Sequence, residues 1–477
     1  MVLSDGFLVL PLLIAVLYAS VETVSDVYSR KNYQRKIDVD SNVQQPWRGQ
    51  TTLIFALLAV SLGLGNVLRL PYVIGEQGGG AFLLVYVAVL TLVVSPVLIA
   101  ELTLGSLGRS SPMGSIQWVA SLAGRDTRWR WIGALQAILA LSIASLMMVP
   151  AVLGAEASFY LYRGDWDAAS ANDIIDTLSG IDSADHLRVL GVLVALVIVA
   201  ALPGPQVVLF LAGWVILPLI LLMMYAGLGF AFDVGDIAAA NEWIFKYRPE
   251  QLTEAGIFSA ALAALSSLGA GVGVGLVFGS RSPEGLPLVR SVIAVAILDT
   301  AFMLVLAIII VAVTAAVDVE MVQGLALLVV SIPYATANLP TGELFGLVIM
   351  MSILLATVAA LIALIEPMVS ILRREFDVPR LLAMMIVALV LWVSGALMMS
   401  EPLARQTIDT WLVPVLVPFI LGVTALFAVW RVPRPILRGE KYREPFAVFY
   451  IWYVIARWLT PVFCFTLSVL ALLRLVL

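Results

Sequence analysis

The chain has 477 residues, of which 62% are apolar and only 12% are charged, and its net charge at pH 7 is −5. Since a globular domain carries about 25% charged residues, this composition excludes a soluble protein. Apolar runs of about 20 residues recur along the whole length, which indicates a polytopic helical membrane protein. The single cysteine, Cys464, excludes an internal disulfide, and the sequence has no cysteine–histidine metal pattern.

The apolar runs predict one extra helix near the start of the chain and a series of membrane helices after it. The extra helix covers 3–19 and is followed by a basic segment. The membrane helices, named one to eleven, are expected at 51–74, 81–104, 131–162, 187–201, 207–230, 256–278, 289–315, 344–372, 381–399, 410–430 and 446–473. The only histidine, His186, lies in an acidic loop and is expected to be a solvated surface residue.

The charges of the loops predict the orientation of these helices. Arginine and lysine concentrate in the loops at 105–130, 373–380 and 431–443, whereas the loop at 163–186 is acidic. By the positive-inside rule the basic loops are cytoplasmic, which places both Met1 and Leu477 outside, in a multi-pass protein of the cytoplasmic (inner) membrane. Helices one to five and six to ten then have opposite topology, as in an inverted repeat.

The first apolar stretch differs from a secretory signal peptide. Asp5 precedes it and the basic cluster follows it, whereas a signal peptide begins with a basic region. We expect an uncleaved extra helix, with an interfacial helix as the alternative. The predicted division of the chain is an extra helix, a basic linker, two inverted repeats and a final loop with helix eleven, at 1–28, 29–50, 51–232, 233–430 and 431–477.

In each predicted half, the first helix is interrupted by one glycine-rich phrase. The two phrases read SLGLGN at 61–66 and SLGAGVG at 267–273. A glycine in mid-helix costs roughly 1 kcal/mol relative to alanine, so clustered glycines predict backbone that is unwound. Unwound backbone at membrane depth is tolerated only inside protein or along a cavity. Paired interruptions in two halves therefore indicate the binding site of a transporter.

Several phrases resemble the neurotransmitter:sodium symporter family, in its bacterial leucine-transporter-like form. They are NVLRLP at 66–71, EQGGGAF at 76–82, IAE at 99–101, GR at 108–109, EPM at 366–368, IDTW at 408–411 and RWLTP at 457–461. The resemblance covers 46–474. It implies an all-α polytopic fold, a 5+5 inverted repeat with broken helices one and six, followed by helix eleven. The extra N-terminal helix is outside the usual pattern.

The resemblance also implies the residues of a transport site. The carboxylate of an amino acid would meet the amides of Leu64 and Gly65, because half-helix ends present unpaired N–H groups. The rest of the substrate site is implied at Val60, Ile143, Met147, Ala264, Ser267, Ala270, Ala360 and Leu364. The first sodium site is implied at Ser61, Asn66, Leu265 and Asp299. The second is implied at Ala59, Leu62, Ala356, Ala359 and Ala360.

Four residues are expected to gate the site. Arg69 and Asp409 match the outer gate of the family, and Trp47 lies beside the position of the inner gate. Glu101 is expected to brace helix two against the helix-one break. Asp299 lies well inside helix seven, where an unpaired carboxylate costs on the order of 3 kcal/mol or more, so it requires a cation, a proton or a donor such as Asn66.

The sequence departs from the family at positions that bear on sodium. The family has hydroxyl side chains where this chain has Ala359 and Ala360, and a threonine where it has Leu265. Met147 replaces a tyrosine that binds the substrate carboxylate. The inner-gate ion pair is also absent, because its two positions are Gln44 and Arg374.

The leading functional hypothesis is sodium-coupled symport of an amino acid by alternating access, without enzymatic activity. Because Ala264 and Ala270 stand where relatives have phenylalanine, we expect an apolar, bulky substrate. The resemblance also implies that chloride is not required, because the carboxylate of Asp299 would take the place of the chloride that some relatives need. Two alternatives remain open: a sensor or membrane subunit that has lost sodium coupling, and transport coupled to protons through Asp299 or Glu101. Expected partners are membrane lipid and a subunit or second copy bound through the N-terminal helix, but no nucleic acid.

Overall fold

The structure is a computed structural model that describes residues 49–63, 69–283, 285–317, 324–438 and 444–476. The predicted N-terminal helix and most of the basic linker lie outside these residues, as do the two predicted outer termini. Among the described residues, nine unbroken helices are long and apolar enough to cross a bilayer. They are Gly80–Gly108, Thr127–Arg163, Ser183–Ala201, Pro205–Val234, Leu288–Ala315, Gly342–Glu375, Arg380–Ser400, Pro402–Arg431 and Phe446–Leu475.

Helices one and six are each formed by two separate pieces. The pieces of helix one are Gln50–Ser61 and Leu70–Glu76. Those of helix six are Glu254–Leu265 and Val274–Ser280. With the nine unbroken helices they account for all eleven predicted membrane helices, and both interruptions fall at the predicted glycine-rich phrases. The polytopic all-α prediction is therefore confirmed.

The helix-six break consists of backbone that glycine is suited to form. Gly269, Gly271 and Gly273 have φ values of 62°, 79° and 73°, in the left-handed region that side chains disfavour. Leu268 also has a positive φ, of 52°. Because the helical ladder cannot continue through these residues, amides of the break are free to bind side chains of other helices.

The inner half of helix six lies against helix two with the two backbones in contact. A Cβ atom on Gly105 would lie 2.2 Å from the carbonyl oxygen of Leu276, and one on Gly279 would lie 2.2 Å from that of Leu102. Real Cβ atoms do not approach backbone this closely, so only glycine permits this packing. The contact brings the carboxylate of helix two to the helix-six break.

A short outer helix, Ile237–Phe245, holds the outer half of helix one. The indole nitrogen of Trp243 donates to the carbonyl of Pro71 at 3.0 Å, and the guanidinium of Arg248 donates to that of Gly75 at 3.2 Å. The second piece of helix one is thus held by hydrogen bonds from the segment that follows helix five. The sequence analysis did not predict this helix, nor the ones at Pro112–Leu122, Ala171–Ser179 and Leu327–Ala337.

Candidate functional site

A buried carboxylate and three hydroxyl groups meet beside the two breaks. Ser267, in the helix-six break, donates to Oδ2 of Asp299 at 2.6 Å, and Asp299 has no exposed surface. The hydroxyls of Ser61 and Tyr86 lie beside the same carboxylate. Within the described part of the chain, neither Oδ1 of Asp299 nor the Tyr86 hydroxyl has a hydrogen-bond partner. The cluster therefore offers oxygen atoms to a small cation.

Two of the four residues proposed for the first sodium site belong to this cluster. Ser61 ends the inner half of helix one and Asp299 lies in helix seven. Leu265 is buried at the end of the outer half of helix six, and its aliphatic side chain has no oxygen to contribute. Asn66 lies outside the described residues.

The residues proposed for the second sodium site also lie together, but they are apolar. Leu62 and Ala356 line one cavity of about 10 Å³, which is room for a single water or ion. Ala59, Ala359 and Ala360 are almost fully buried. The hydroxyl that lines the cavity belongs to Ser352, one turn before Ala356, and it donates to the carbonyl of Ile349 at 2.7 Å. Only backbone carbonyls are left as ligands at the positions that the resemblance implies.

Side chains from three helices converge on the backbone breaks, where the substrate site was expected. A Cβ atom on Gly63 would lie 2.8 Å from Cε of Met147 and 3.3 Å from Cβ of Ala360. A Cβ atom on Gly269 would lie 3.4 Å from Val60. Helices one, three, six and eight therefore meet at this point. Met147 reaches across to helix one, so it occupies space that a lining of alanines alone would leave open.

The other lining residues are buried in the elements that surround this point. Ala264 is the next-to-last residue of the outer half of helix six, and Ala270 lies in the break. Ile143 precedes Met147 by one helical turn and is half-buried, while Leu364 is buried at the inner end of the segment Gly342–Leu364. Ser267 is the polar side chain of the set, and its hydroxyl is engaged by Asp299. Leu64 and Gly65 lie outside the described residues.

Glu101 binds the helix-six break. Its Oε1 accepts from the amide of Gly271 at 2.9 Å and from the side-chain amide of Gln136 at 2.7 Å. Gln136 also donates to the hydroxyl of Thr424 at 2.8 Å, which joins helices two, three, six and ten. The expectation was a contact with the helix-one break, whose residues 64–68 are not described; the contacts observed are with helix six.

The two residues that are expected to form the outer gate make an ion pair. Nη2 of Arg69 lies 2.6 Å from Oδ2 of Asp409, and the two side chains are 48% and 41% exposed. Arg69 immediately precedes the outer half of helix one, and Asp409 lies near the start of helix ten. The pair therefore joins helix one to helix ten, at the position where the outer gate was expected.

On the predicted inner side the structure contains a different ion pair. Glu366 is fully buried and lies 2.5 Å from Arg380, which also donates to the carbonyls of Ala201 and Leu202 at the end of helix four. Arg374, at one inner-gate position, donates to the carbonyl of Arg109 at 3.4 Å. Trp47 and Gln44 lie outside the described residues.

Arg281 follows the inner half of helix six and faces this group. Burial lowers the pKa of Arg281 to about 10, which the neighbouring Glu366 partly offsets. The guanidinium remains charged at neutral pH. The inner end of helix six therefore lies near the Glu366–Arg380 pair and two further arginines, Arg373 and Arg374.

Three polar residues of the interior were not identified from the sequence. Gln136 and Thr424 complete the network of Glu101, and Tyr86 lies beside Asp299. In the sequence, each of the three is an isolated polar residue in an apolar helix. Such a residue is expected to have a buried partner, but the sequence does not identify the partner. The prediction for His186 was wrong: its Nδ1 lies 2.7 Å from Glu156, whose side chain is only 6% exposed.

Comparison with known proteins agrees with this architecture. The model of the sodium:neurotransmitter symporter family matches residues 44–164. An uncharacterised sodium-dependent transporter of Methanocaldococcus jannaschii is 23% identical over 84% of this chain and 84% of its own length. A second one, from Bacillus subtilis, is 22% identical over 87% of this chain and 95% of its own.

A solved structure shows the same fold. The crystal structure of MhsT in complex with L-phenylalanine superposes with a TM-score of 0.77 and 22% identity, and the match covers 90% of this chain and 99% of MhsT. The family and the fold are those of secondary transporters and not of enzymes. The family match, the two sodium-dependent relatives and the fold shared with MhsT together support a divergent member of the sodium:neurotransmitter symporter family.

Proposed function

We propose that this protein is a sodium-coupled symporter that carries an amino acid across the inner membrane by alternating access. The observation that carries the proposal is the state of Asp299: a fully buried carboxylate whose Oδ1 has no hydrogen-bond partner among the described residues. An isolated charge in that position is costly. A sodium ion beside it would offset the cost, and it would bind next to the hydrogen bond by which Ser267 already joins the helix-six break to helix seven.

The same carboxylate supports independence from chloride. A sodium ion next to Asp299 already has a fixed negative charge beside it, so a mobile anion is not required for neutrality. The sodium-dependent names of the two full-length relatives are consistent with coupling to this ion.

The lining supports an apolar substrate. The hydroxyl of Ser267 is directed to Asp299, which leaves the aliphatic side chains of Val60, Ile143, Met147 and Leu364 to contact a substrate. Amides at the helix breaks, including the proposed pair at 64–65, would bind its carboxylate. MhsT was solved with L-phenylalanine, a bulky apolar amino acid of the kind that we propose here.

Met147 decides how large the substrate can be. Its side chain lies against Gly63 and Ala360, but methionine is unbranched and can adopt other rotamers. Rotation away from Gly63 would open the space between the helix-one break and Ala360. We therefore propose that a bulky amino acid displaces Met147 as it binds.

Two observations favour the alternative functions. Ala359 and Ala360 remove both side-chain oxygens from the second sodium position, as expected for a protein that has lost coupling and acts as a sensor or subunit. The hydroxyls of Tyr86 and Ser267 beside Asp299 would also suit a carboxyl group that binds a proton. If the protein is a sensor or subunit, we propose that a partner subunit or a second copy binds through the N-terminal helix.

A melting experiment distinguishes these functions. The purified protein is heated in sodium chloride, potassium chloride and sodium gluconate, alone and with each common amino acid. A ligand that binds only the folded protein raises the melting temperature, with about 2.7 kcal/mol of stabilisation at 100 times its Kd. We expect an increase that requires sodium and a bulky apolar amino acid but not chloride. No response to either ligand would favour the sensor or subunit, and an amino-acid response that depends on pH but not on sodium would favour proton coupling.

A further inference from the structure

A rim of arginines and tryptophans surrounds the predicted cytoplasmic end of helix three. The turn Thr127–Arg130 precedes this helix, and the end of helix ten packs beside it. We define the rim by its six residues: Arg125, Arg128, Trp129, Arg130, Trp131 and Arg431. None of them takes part in the transport site, so this surface needs a separate explanation.

The rim contains a concave site. A surface cavity of about 260 Å³ is lined by Asp126, Arg128, Trp129, Trp131, Ile132 and Leu135. Trp131 and Leu135 are 39% and 46% exposed, and they are four residues apart on helix three, so they share one face. The cavity therefore has a guanidinium at the end of the turn and an apolar wall along the helix, in the direction of the bilayer interior.

The arginines of the rim are held by aromatic rings and by the backbone. The guanidinium of Arg130 lies 5.6 Å from the ring centroid of Trp131, and that of Arg431 lies 5.6 Å from that of Trp129. Nε of Arg125 donates to the carbonyl of Arg431 at 3.1 Å. Stacking of this kind leaves the edge of a guanidinium, which carries its N–H groups, able to bind an anion.

The single acid in the lining does not neutralise the site. Asp126 accepts a hydrogen bond from the backbone amide of Arg128 at 2.8 Å, and so caps its own turn. Its carboxylate is 3.8 Å from Nε of Arg128, whose side chain is 88% exposed. A pair at that distance and exposure contributes little. Because four arginines stand against this one acid, the rim as a whole carries an excess of positive charge at the edge of the cavity.

We propose that this cavity binds an anionic phospholipid of the inner leaflet. The headgroup phosphate lies at Arg128 and Arg130, and one acyl chain lies along Trp131 and Leu135. A soluble anion would use the arginines but not the apolar wall, and a zwitterionic lipid would use the wall but would bring its own cation to the arginines. Only an anionic lipid matches both ends of the cavity at the depth of the membrane–water interface.

Native mass spectrometry of the full chain in detergent tests this proposal. The probes are phosphatidylglycerol, phosphatidylcholine of the same acyl chains, and sn-glycerol 3-phosphate, which has the phosphate without the chains. The variants are Arg128→Ala/Arg130→Ala and Leu135→Gln. The control is Arg188→Ala, on the opposite side of the membrane, where the side chain is 78% exposed and paired with Asp185.

We expect phosphatidylglycerol to remain bound in preference to both other probes. Since one arginine near the surface contributes ~1 kcal/mol, the double variant should raise the Kd for phosphatidylglycerol about 25-fold. Leu135→Gln should weaken the binding of this lipid, and Arg188→Ala should leave its binding unchanged. Melting temperatures equal to that of the natural protein would show that the variants are folded, and Arg128→Lys/Arg130→Lys, which keeps the charges, should retain most of the binding.

Three results would overturn the proposal. Equal retention of phosphatidylglycerol and phosphatidylcholine would mean that the charges do not select the lipid. Binding of glycerol phosphate as tight as that of the lipid would make the cavity a site for soluble anions. Retention of phosphatidylglycerol in both the double alanine variant and Leu135→Gln would place the lipid elsewhere on the protein.

Discussion

Glu101 accepts a hydrogen bond of 2.9 Å from the backbone amide of Gly271, across the interface between helix two and the helix-six break. The glycines of this interface bring the two backbones together, and the carboxylate then binds an amide that the interrupted helix leaves without its ordinary partner. Gln136 and Thr424 extend the contact to helices three and ten. The break is thus stabilised by side chains of elements that are distant in the sequence.

Removing this carboxylate should destabilise the protein. Glu101→Ala leaves the Gly271 amide and the Gln136 side chain without their shared acceptor in a buried site, at a cost of about 1–3 kcal/mol for each group. We expect a lower melting temperature in detergent, together with weaker substrate binding. Glu76→Ala, at an exposed position at the end of helix one, is the matched control. Equal melting temperatures for the two variants would show that Glu101 does not stabilise the break.

The outer ion pair should affect transport more than stability. Because Arg69 and Asp409 are about half exposed, the pair contributes only about 0–1 kcal/mol to folding. Arg69→Ala should therefore melt close to the natural protein but bind substrate less tightly at equilibrium, since the closed outer mouth is no longer held. The exchanged pair Arg69→Asp/Asp409→Arg should recover part of this loss. If the exchanged pair binds substrate no more tightly than Arg69→Ala does, the gate does not depend on the ion pair.

The small residues at the helix-six break should set the size of the substrate. Ala264→Phe adds a ring at the proposed substrate site and should shift binding from bulky to small amino acids. Met147→Ala should have the opposite effect and improve the relative affinity for the largest side chains. Competition binding with glycine, alanine, leucine and tryptophan measures both shifts. If selectivity is unchanged in the two variants, the substrate does not lie at these residues.

Restoring hydroxyls should strengthen the second sodium position. Ala359→Thr/Ala360→Ser supplies two oxygen ligands beside the cavity that Leu62 and Ala356 line. We expect tighter sodium binding, read as half-maximal stabilisation at a lower sodium concentration in thermal melts. Ala359→Val/Ala360→Cys, of similar volume and without hydroxyls, controls for packing. The same sodium response in both variants would show that the side chains at positions 359 and 360 do not bind sodium.

Much of the fold was predictable from the sequence because each membrane helix must satisfy its backbone internally. A span of apolar residues therefore marks an element, and clustered glycines mark an interruption such as the break at 266–273. The outer helix Ile237–Phe245 was not predicted, because its sequence is too short and too mixed in composition to be distinguished from that of a loop. Its existence depends on tertiary contacts, such as the one between Trp243 and Pro71.

The candidate site was less predictable, since a sequence identifies polar residues but not their partners. Asp299 was recognised as needing a partner, but Ser267 and Tyr86 were not connected to it, because they come from helices six and two. His186 was assigned to solvent from its acidic neighbours in the loop. Its partner, Glu156, lies 30 positions earlier, and the packing of helix four against helix three brings the two together.

Uptake into proteoliposomes tests the central claim most directly, namely that Asp299 couples a sodium ion to the transport of an amino acid. Vesicles containing the natural protein, Asp299→Asn or the control Ser291→Ala are given a mixture of radiolabelled amino acids under an inward sodium gradient, an inward potassium gradient or a proton gradient. We predict accumulation of apolar amino acids with sodium only, its loss in Asp299→Asn and its retention in Ser291→Ala. Accumulation that is equal with sodium and potassium, or sodium-driven accumulation that persists in Asp299→Asn, would contradict the account.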